Sequence, residues 1–102
     1  LTDAELNAVA EVRQALADLL TAREQLALQR EAAEYVQENR DLVEKAFAAG
    51  AREGSLTRLN EAQRDLTEAQ GRLAQARVAV LRAWHAFHTA TGETLTETGP
   101  PE

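Results

Sequence analysis

The chain has 102 residues, of which 44% are hydrophobic, 27% charged and only 4% aromatic. This length predicts a single domain, and the composition, with five glycines and two prolines, is typical of long helices or coiled coils. The absence of cysteine excludes a disulfide framework, a thiol nucleophile and a cysteine-bearing metal site. A formal net charge of −6 disfavours nucleic acid or an anionic membrane surface as the main partner. No segment is apolar over the length needed to cross a bilayer, so we expect no membrane contact by this segment.

The first half of the chain contains neither Gly nor Pro between Thr2 and Ala49, and helix-forming residues dominate it. This composition predicts one uninterrupted helix over residues 3–49. Thr2 or Asp3 is the expected N-cap, because their short side chains can accept a hydrogen bond from a free amide of the first turn. Lys45 lies near the opposite end, where the helix dipole favours a positive charge.

A turn is predicted over residues 50–55, where Gly50 and Gly54 bracket the middle of the chain. Glycine is frequent where a helix ends because it adopts left-handed backbone angles without strain. Ser55 is then the expected N-cap of a second helix over residues 56–91. The turn is short, so the two helices must run antiparallel and lie side by side.

The second helix is expected to end at Gly92, and the tail of residues 93–102 is expected to be irregular. The predicted fold class is therefore all-α. It is a long antiparallel helical hairpin of coiled-coil type over residues 1–92.

Apolar residues repeat in the second helix at alternating steps of three and four, which is the heptad pattern of a coiled-coil seam. Large residues and alanines alternate along it, so a partner helix can approach closely. The predicted helix-packing seam consists of Leu59, Ala62, Leu66, Ala69, Leu73, Ala76, Val80, Ala83, Phe87 and Ala90.

The first helix has a comparable but less regular apolar stripe. Arg23, Arg30 and Arg40 fall on it, and its register is expected to shift near Ala33. The stripe consists of Val9, Val12, Leu16, Leu19, Leu26, Ala33, Val36, Val43 and Phe47. Residues 1–49 carry a net charge of −5 and residues 55–91 a net charge of +2, which favours docking of the two helices modestly.

Self-association is expected, because a two-helix hairpin has little core for its length and apolar residues are left over. The first helix is predicted to be about ten residues longer than the second. The residues without a predicted intrachain partner are Leu6, Val9 and Val12 on the first helix and Leu81 and Trp84, with Ala74 behind them, on the second.

The side chains that could carry chemistry point to no catalytic or cofactor site. His85 and His88 lie three residues apart, a spacing that can bind a metal only if further ligands converge. We expect them to be solvated histidines instead. Glu31, Glu34 and Glu38 share a helical face, but no element is available to bury them and shift their pKa. We therefore expect neither an enzyme, nor a metal site, nor a cofactor.

Three motifs resemble the α-helical hairpin of TolC-like outer-membrane efflux proteins. Before the turn, Phe47-Ala48-Ala49-Gly50 is similar to the aromatic-x-x-Gly approach to the hairpin tip in that family. After it, the stretch Ser55-Leu56-x-x-Leu59-x-Glu61-Ala62-Gln63-Arg64-x-Leu66 resembles the opening of the returning helix, especially in members that serve heavy-metal efflux. Ala90-Thr91-Gly92 matches the end of that helix. The resemblance covers nearly the whole chain.

The resemblance implies a function in transport. Proteins of this family form trimers in which helical hairpins build a periplasmic α-barrel that continues into a β-barrel in the outer membrane. Their turns lie at the periplasmic tip, where they meet the hairpins of a periplasmic adaptor protein, and rearrangement of the tip helices opens the exit duct. By this resemblance the chain is one hairpin from the periplasmic portion of a Gram-negative outer-membrane protein, with the adaptor and other copies of itself as partners.

By the same resemblance, the residues of the turn and the first turns of the second helix form the adaptor-docking tip, assigned as a cluster. These residues are Gly50, Arg52, Glu53, Gly54, Ser55, Thr57, Arg58 and Asn60. The spacing from Gly50 to Ser55 is longer than usual in the family, and Asn60 replaces an apolar residue.

Two alternative functions remain. The chain could be a structural coiled-coil hairpin that only oligomerises, or it could be the hairpin of the adaptor itself. The adaptor hairpin carries an Arg-Leu-Ser signature at its turn, and this chain matches only the first two residues of it, as Arg58-Leu59 is followed by Asn60.

Overall fold

Two long helices that fold back on each other make up the computed structural model, which describes residues 2–50 and 54–94. Helix α1 spans Asp3–Ala48 and helix α2 spans Gly54–Thr94, with 46 and 41 residues. The principal extents are 72 × 27 × 14 Å. There is no strand in the described ranges, and the predicted all-α hairpin is confirmed.

A capping box begins α1 at Thr2, one of the two N-caps expected from the sequence. The Glu5 amide donates to Thr2 Oγ1 at 3.1 Å, and the Thr2 amide donates to Glu5 Oε1 at 2.9 Å. Each side chain thus satisfies an amide that has no partner within the helix. The backbone hydrogen bond from Thr2 favours the ionised Glu5 and lowers the pKa of this exposed carboxyl below its ordinary value.

The side of α1 that faces α2 follows an unbroken heptad pattern, which we call the α1 inner seam. Apart from Asp41, its members are the only residues of α1 that are not exposed. They are Ala8, Val12, Ala15, Leu19, Ala22, Leu26, Gln29, Ala33, Val36, Arg40 and Val43. The steps alternate between four and three from end to end, so the expected register shift near Ala33 is wrong.

Part of the predicted stripe of α1 therefore lies outside the interface. Val9 and Leu16 are 44% and 41% exposed, and Phe47 is also exposed. Arg23 and Arg30 point to solvent, whereas Arg40 does lie on the α1 inner seam. The stripe was misjudged because large residues were given more weight than small ones. Alanines such as Ala8, Ala15 and Ala22 occupy positions of the α1 inner seam, since a small side chain lets the partner helix come close.

On α2, all ten predicted seam residues face α1, and none of them is exposed. We call this set, from Leu59 to Ala90, the α2 inner seam. Ala62, Leu66, Ala69 and Ala76 are buried, and Ala69 is the least accessible at 1% exposed. The alanines of this seam from Ala62 to Ala76 are thus covered by α1.

The register of the two helices is defined at both ends of the hairpin. Near the tip, Arg40 Nη1 donates to Gln63 Oε1 at 3.3 Å. Near the other end, Ala15 of α1 and Ala90 of α2 line one shared groove. The same register brings Leu26, a large side chain of α1, level with Ala76, a small side chain of α2.

The ends of α2 differ from the prediction. The helix begins at Gly54, so Ser55 is its second residue and not its N-cap. It also continues past Gly92 to Thr94, because one glycine costs a helix only about 1 kcal/mol and does not by itself end it. Consequently α1 is five residues longer than α2 instead of ten. The rest of the expected irregular tail, residues 95–102, lies outside the described residues.

The buried core of the hairpin is small. Seven described residues are buried, and all but two of them are alanines; the two larger ones are Leu19 and Leu66. No ion pair joins the two helices within the described ranges, since the Arg40–Asp41 pair at 2.9 Å lies inside α1. The apolar seams, and not charge pairing, therefore hold α1 against α2.

Candidate docking tip and hairpin surface

The tip of the hairpin starts where α1 ends in two backbone hydrogen bonds. The Ala49 amide donates to the Lys45 carbonyl at 3.0 Å, and the Gly50 amide donates to the Phe47 carbonyl at 3.2 Å. Gly50 has a φ of +91°, in the left-handed region that side chains with a Cβ rarely adopt. The chain therefore leaves α1 at a position that requires glycine.

We expect Gly50→Ala to destabilise the hairpin by about 1–2 kcal/mol, because the new Cβ is strained at a left-handed φ even though space surrounds it. Gly71→Ala is the matched control. Gly71 lies inside α2 with open space around its Cα, so the same substitution should stabilise the hairpin by about 1 kcal/mol. Urea unfolding followed by circular dichroism measures both. If both substitutions changed the free energy of unfolding in the same direction, the requirement for glycine at position 50 would be contradicted.

Not all of the predicted tip residues lie in the part of the chain that the structure describes. Arg52 and Glu53 lie outside the described residues. Gly54 and Ser55 are the first two residues of α2. Thr57, Arg58 and Asn60 follow in its first two turns, and all three side chains are exposed. The structure thus places three exposed polar side chains in the first two turns of α2, at the tip end of the hairpin.

The sequence analysis missed a cross-helix contact and an apolar pair near the tip. Arg40 is held by Asp41 through Nε at 2.9 Å and reaches Gln63 on α2 through Nη1. Phe47 and Leu56 lie level with each other on either side of the turn and are 37% and 52% exposed. The sequence analysis placed Arg40 on the apolar stripe of the first helix but did not identify Gln63 as its partner. The tip consequently presents apolar as well as polar groups.

The residues considered for chemistry are spread over the outside of the hairpin. Glu31, Glu34 and Glu38 are exposed. His85 is exposed, whereas His88 is half-buried and packs edge-on against Trp84, with ring centroids 4.9 Å apart. Over residues 2–50 and 54–94, no group of three or more potential metal ligands converges. His88 thus contributes to packing against Trp84, and His85 lies on the surface of α2.

Gly71 lies inside α2, where glycine is disfavoured, but it does not serve a close approach between α1 and α2. A Cβ built at this position meets no atom within 4 Å. Packing of α2 against α1 therefore does not require a glycine at position 71. Any requirement for a small residue must come from outside the hairpin.

The geometry of a long hairpin with an exposed tip agrees with a comparison of the sequence with protein families. The family model for outer membrane efflux proteins matches residues 1–93. The chain belongs to the outer membrane efflux protein family. The resemblance to TolC-like proteins is thereby confirmed, and the family is one of transport channels. No curated protein and no solved structure gives a significant match.

Membership of the outer membrane efflux protein family connects the chain to the outer membrane. None of the helices in the described part of the chain has the length and apolarity needed to span a membrane.

Proposed function

We propose that the hairpin forms part of the periplasmic wall of an outer-membrane efflux duct and that its tip docks a periplasmic adaptor protein. The observation that carries this proposal is the arrangement of two continuous helices in a rod 72 Å long, with exposed polar and apolar groups at one end. A rod of this kind can bridge a distance and present its end to a partner. Its chemistry is binding and not catalysis.

The tip offers the features that a protein partner needs. Exposed Phe47 and Leu56 provide apolar area, and exposed Thr57, Arg58 and Asn60 provide hydrogen-bonding groups at the same end of the hairpin. Protein–protein interfaces commonly combine apolar side chains with polar ones. Gly50 carries no Cβ, so the backbone of a partner can come close to the turn.

Substitutions at Arg58 in the intact parent protein test the docking role. Arg58→Ala and Arg58→Glu should weaken adaptor binding and reduce efflux, with a cost of about 1–3 kcal/mol if the side chain is a hot spot. Arg58→Glu should have the larger effect, because it introduces the opposite charge. Adaptor binding measured with purified proteins and efflux measured in cells report the two consequences separately.

Arg72→Glu is the matched control, since Arg72 is also an exposed arginine of α2 but lies far from the tip. It should leave both binding and efflux unchanged. Unchanged adaptor binding in both Arg58 variants would overturn the docking role of this side chain. A hairpin that docks no adaptor but still supports assembly of the parent protein would retain only the wall function.

A further inference from the structure

The two broad sides of the hairpin differ in charge. Glu11, Asp18 and Ala86 each precede an inner-seam residue, and they lie on one side because they line one groove between the helices. Arg23 and Arg77 instead follow an inner-seam residue. The two kinds of position are two residues apart, a rotation of about 200° around the helix, so both arginines lie on the opposite side.

We call this opposite side the arginine face. Its members are exposed residues that follow an alanine or another member of the inner seams at intervals of seven. They are Leu16, Arg23, Arg30 and Gln37 on α1 and Gln63, Gln70, Arg77 and Trp84 on α2.

The three charged members of the arginine face are all arginines, and they lie close together. Because Leu26 is level with Ala76, Arg77 is level with position 25 of α1. It is therefore displaced along the hairpin by about 3 Å from Arg23 and about 8 Å from Arg30. Packed helix axes are about 8–10 Å apart, so the three guanidinium groups are within reach of a single small molecule.

These arginines have no anionic partner in the described ranges. None of their side chains forms an ion pair or a hydrogen bond there, and Glu34, one turn from Arg30, does not pair with it. On α2, no acidic residue occurs between Glu68 and Glu93. Although the whole chain has a net charge of −6, this part of its surface is positive and attracts anions.

An aromatic side chain continues the arginine face beyond the arginines. Trp84 follows Arg77 by seven residues, about 11 Å along α2, and in the same register it lies between the levels of Leu16 and Arg23. Trp84 and Leu16 are 53% and 41% exposed. The ring of His88 packs edge-on against Trp84 at a centroid distance of 4.9 Å and supports it in this position.

We propose that the arginine face binds a soluble amphiphilic organic anion. The sulfonate, phosphate or carboxylate group of the ligand lies at Arg23, Arg30 and Arg77, and its aromatic or apolar body lies against Trp84 and Leu16. Guanidinium groups suit this role because they donate paired hydrogen bonds to such oxyanions. The site lies on the long side of the hairpin, so it goes beyond the docking function and does not rest on it.

Equilibrium dialysis of this chain against naphthalenesulfonate tests the proposal. Binding should be saturable and should weaken as salt is added, because salt screens the attraction between exposed charges. Naphthalenemethanol has the same ring system without the charge. It should bind about tenfold more weakly or worse, since it cannot form charged hydrogen bonds with the arginines.

Arg77→Ala should raise the dissociation constant of naphthalenesulfonate about tenfold, because it removes a charged hydrogen bond from the centre of the group. Arg72→Ala is the matched control. Arg72 is also an exposed arginine of α2, but it precedes the seam residue Leu73 and so lies on the side of Glu11 and Asp18. The control should change the constant by less than about twofold, although it removes the same charge. Circular dichroism shows whether both variants keep their helices.

Trp84→Ala separates the two halves of the site. It should weaken binding of naphthalenesulfonate about fivefold or more, because the ring loses its aromatic neighbour. Competition by inorganic sulfate should remain, since sulfate contacts the arginines alone. Trp84 is the single tryptophan of the chain, so a change in tryptophan fluorescence on ligand binding reports contact at this face.

Three results would each overturn the inference. They are a lack of saturable binding, equal binding of the charged and the uncharged naphthalene, and equal effects of Arg77→Ala and Arg72→Ala. None of them bears on adaptor docking, which the Arg58 variants measure in the intact protein. Failure of this inference is thus distinguishable from failure of the docking function.

Discussion

Ala69→Asp is expected to abolish the folded hairpin. Ala69 is 1% exposed and lies among the buried alanines of the α2 inner seam, so a carboxylate there loses its water without gaining a partner. An uncompensated buried charge costs about 3–5 kcal/mol. That is a large part of the stability of any small domain, and this hairpin has a small core. Circular dichroism should show loss of most helical signal at moderate temperature.

The matched control for this variant is Ala79→Asp. Ala79 is an exposed alanine of the same helix, ten residues further along the chain. Both variants lower the helix propensity of α2 equally, so the difference between them measures burial alone. Similar losses of helix in both would mean that Ala69 is not enclosed by α1.

Leu66→Ala is expected to destabilise the hairpin by about 2–5 kcal/mol, the second-largest effect of a single substitution here. Leu66 is 5% exposed and, with Leu19, is one of the two large side chains that are buried among the described residues, so its loss removes apolar contact and leaves a cavity in a thin interface. Urea unfolding gives the change in the free energy of unfolding.

Leu42→Ala serves as the reference for the leucine variant, because Leu42 is 67% exposed on α1. Its effect should stay within about 0.5 kcal/mol, the usual range for a surface position. If Leu42→Ala were as harmful as Leu66→Ala, the burial pattern of the hairpin would be wrong.

The sequence was informative wherever a pattern is local or periodic. The stretch free of Gly and Pro predicted α1 to within a residue of its end, and the heptad steps from Leu59 to Ala90 selected residues that all face α1. Both signals arise from the geometry of a single helix, and no knowledge of the partner is needed to see them.

Sequence reasoning was less accurate for features that depend on how the two helices pack against each other. Whether Val9 or Ala8 faces α2 depends on how closely the helices approach, and hydrophobicity alone favoured the larger residue. The tip was predicted as a polar cluster, but the exposure of Phe47 and Leu56 follows from their position beyond the last closely packed turn of the seams. The Arg40–Gln63 bond likewise needs two segments in register.

The sequence by itself determined that this protein is a pair of long helices with a turn at Gly50, because helix propensity, heptad spacing and glycine at a helix end are properties of the local chain. Its motifs were also enough to place it among outer membrane efflux proteins. Only the tertiary structure decided which residues are enclosed and which stay outside. Antiparallel packing against α1 buries the alanine row of α2 and leaves Leu81 and Trp84 exposed, since a helix of about 3.6 residues per turn can give one partner only one of its sides.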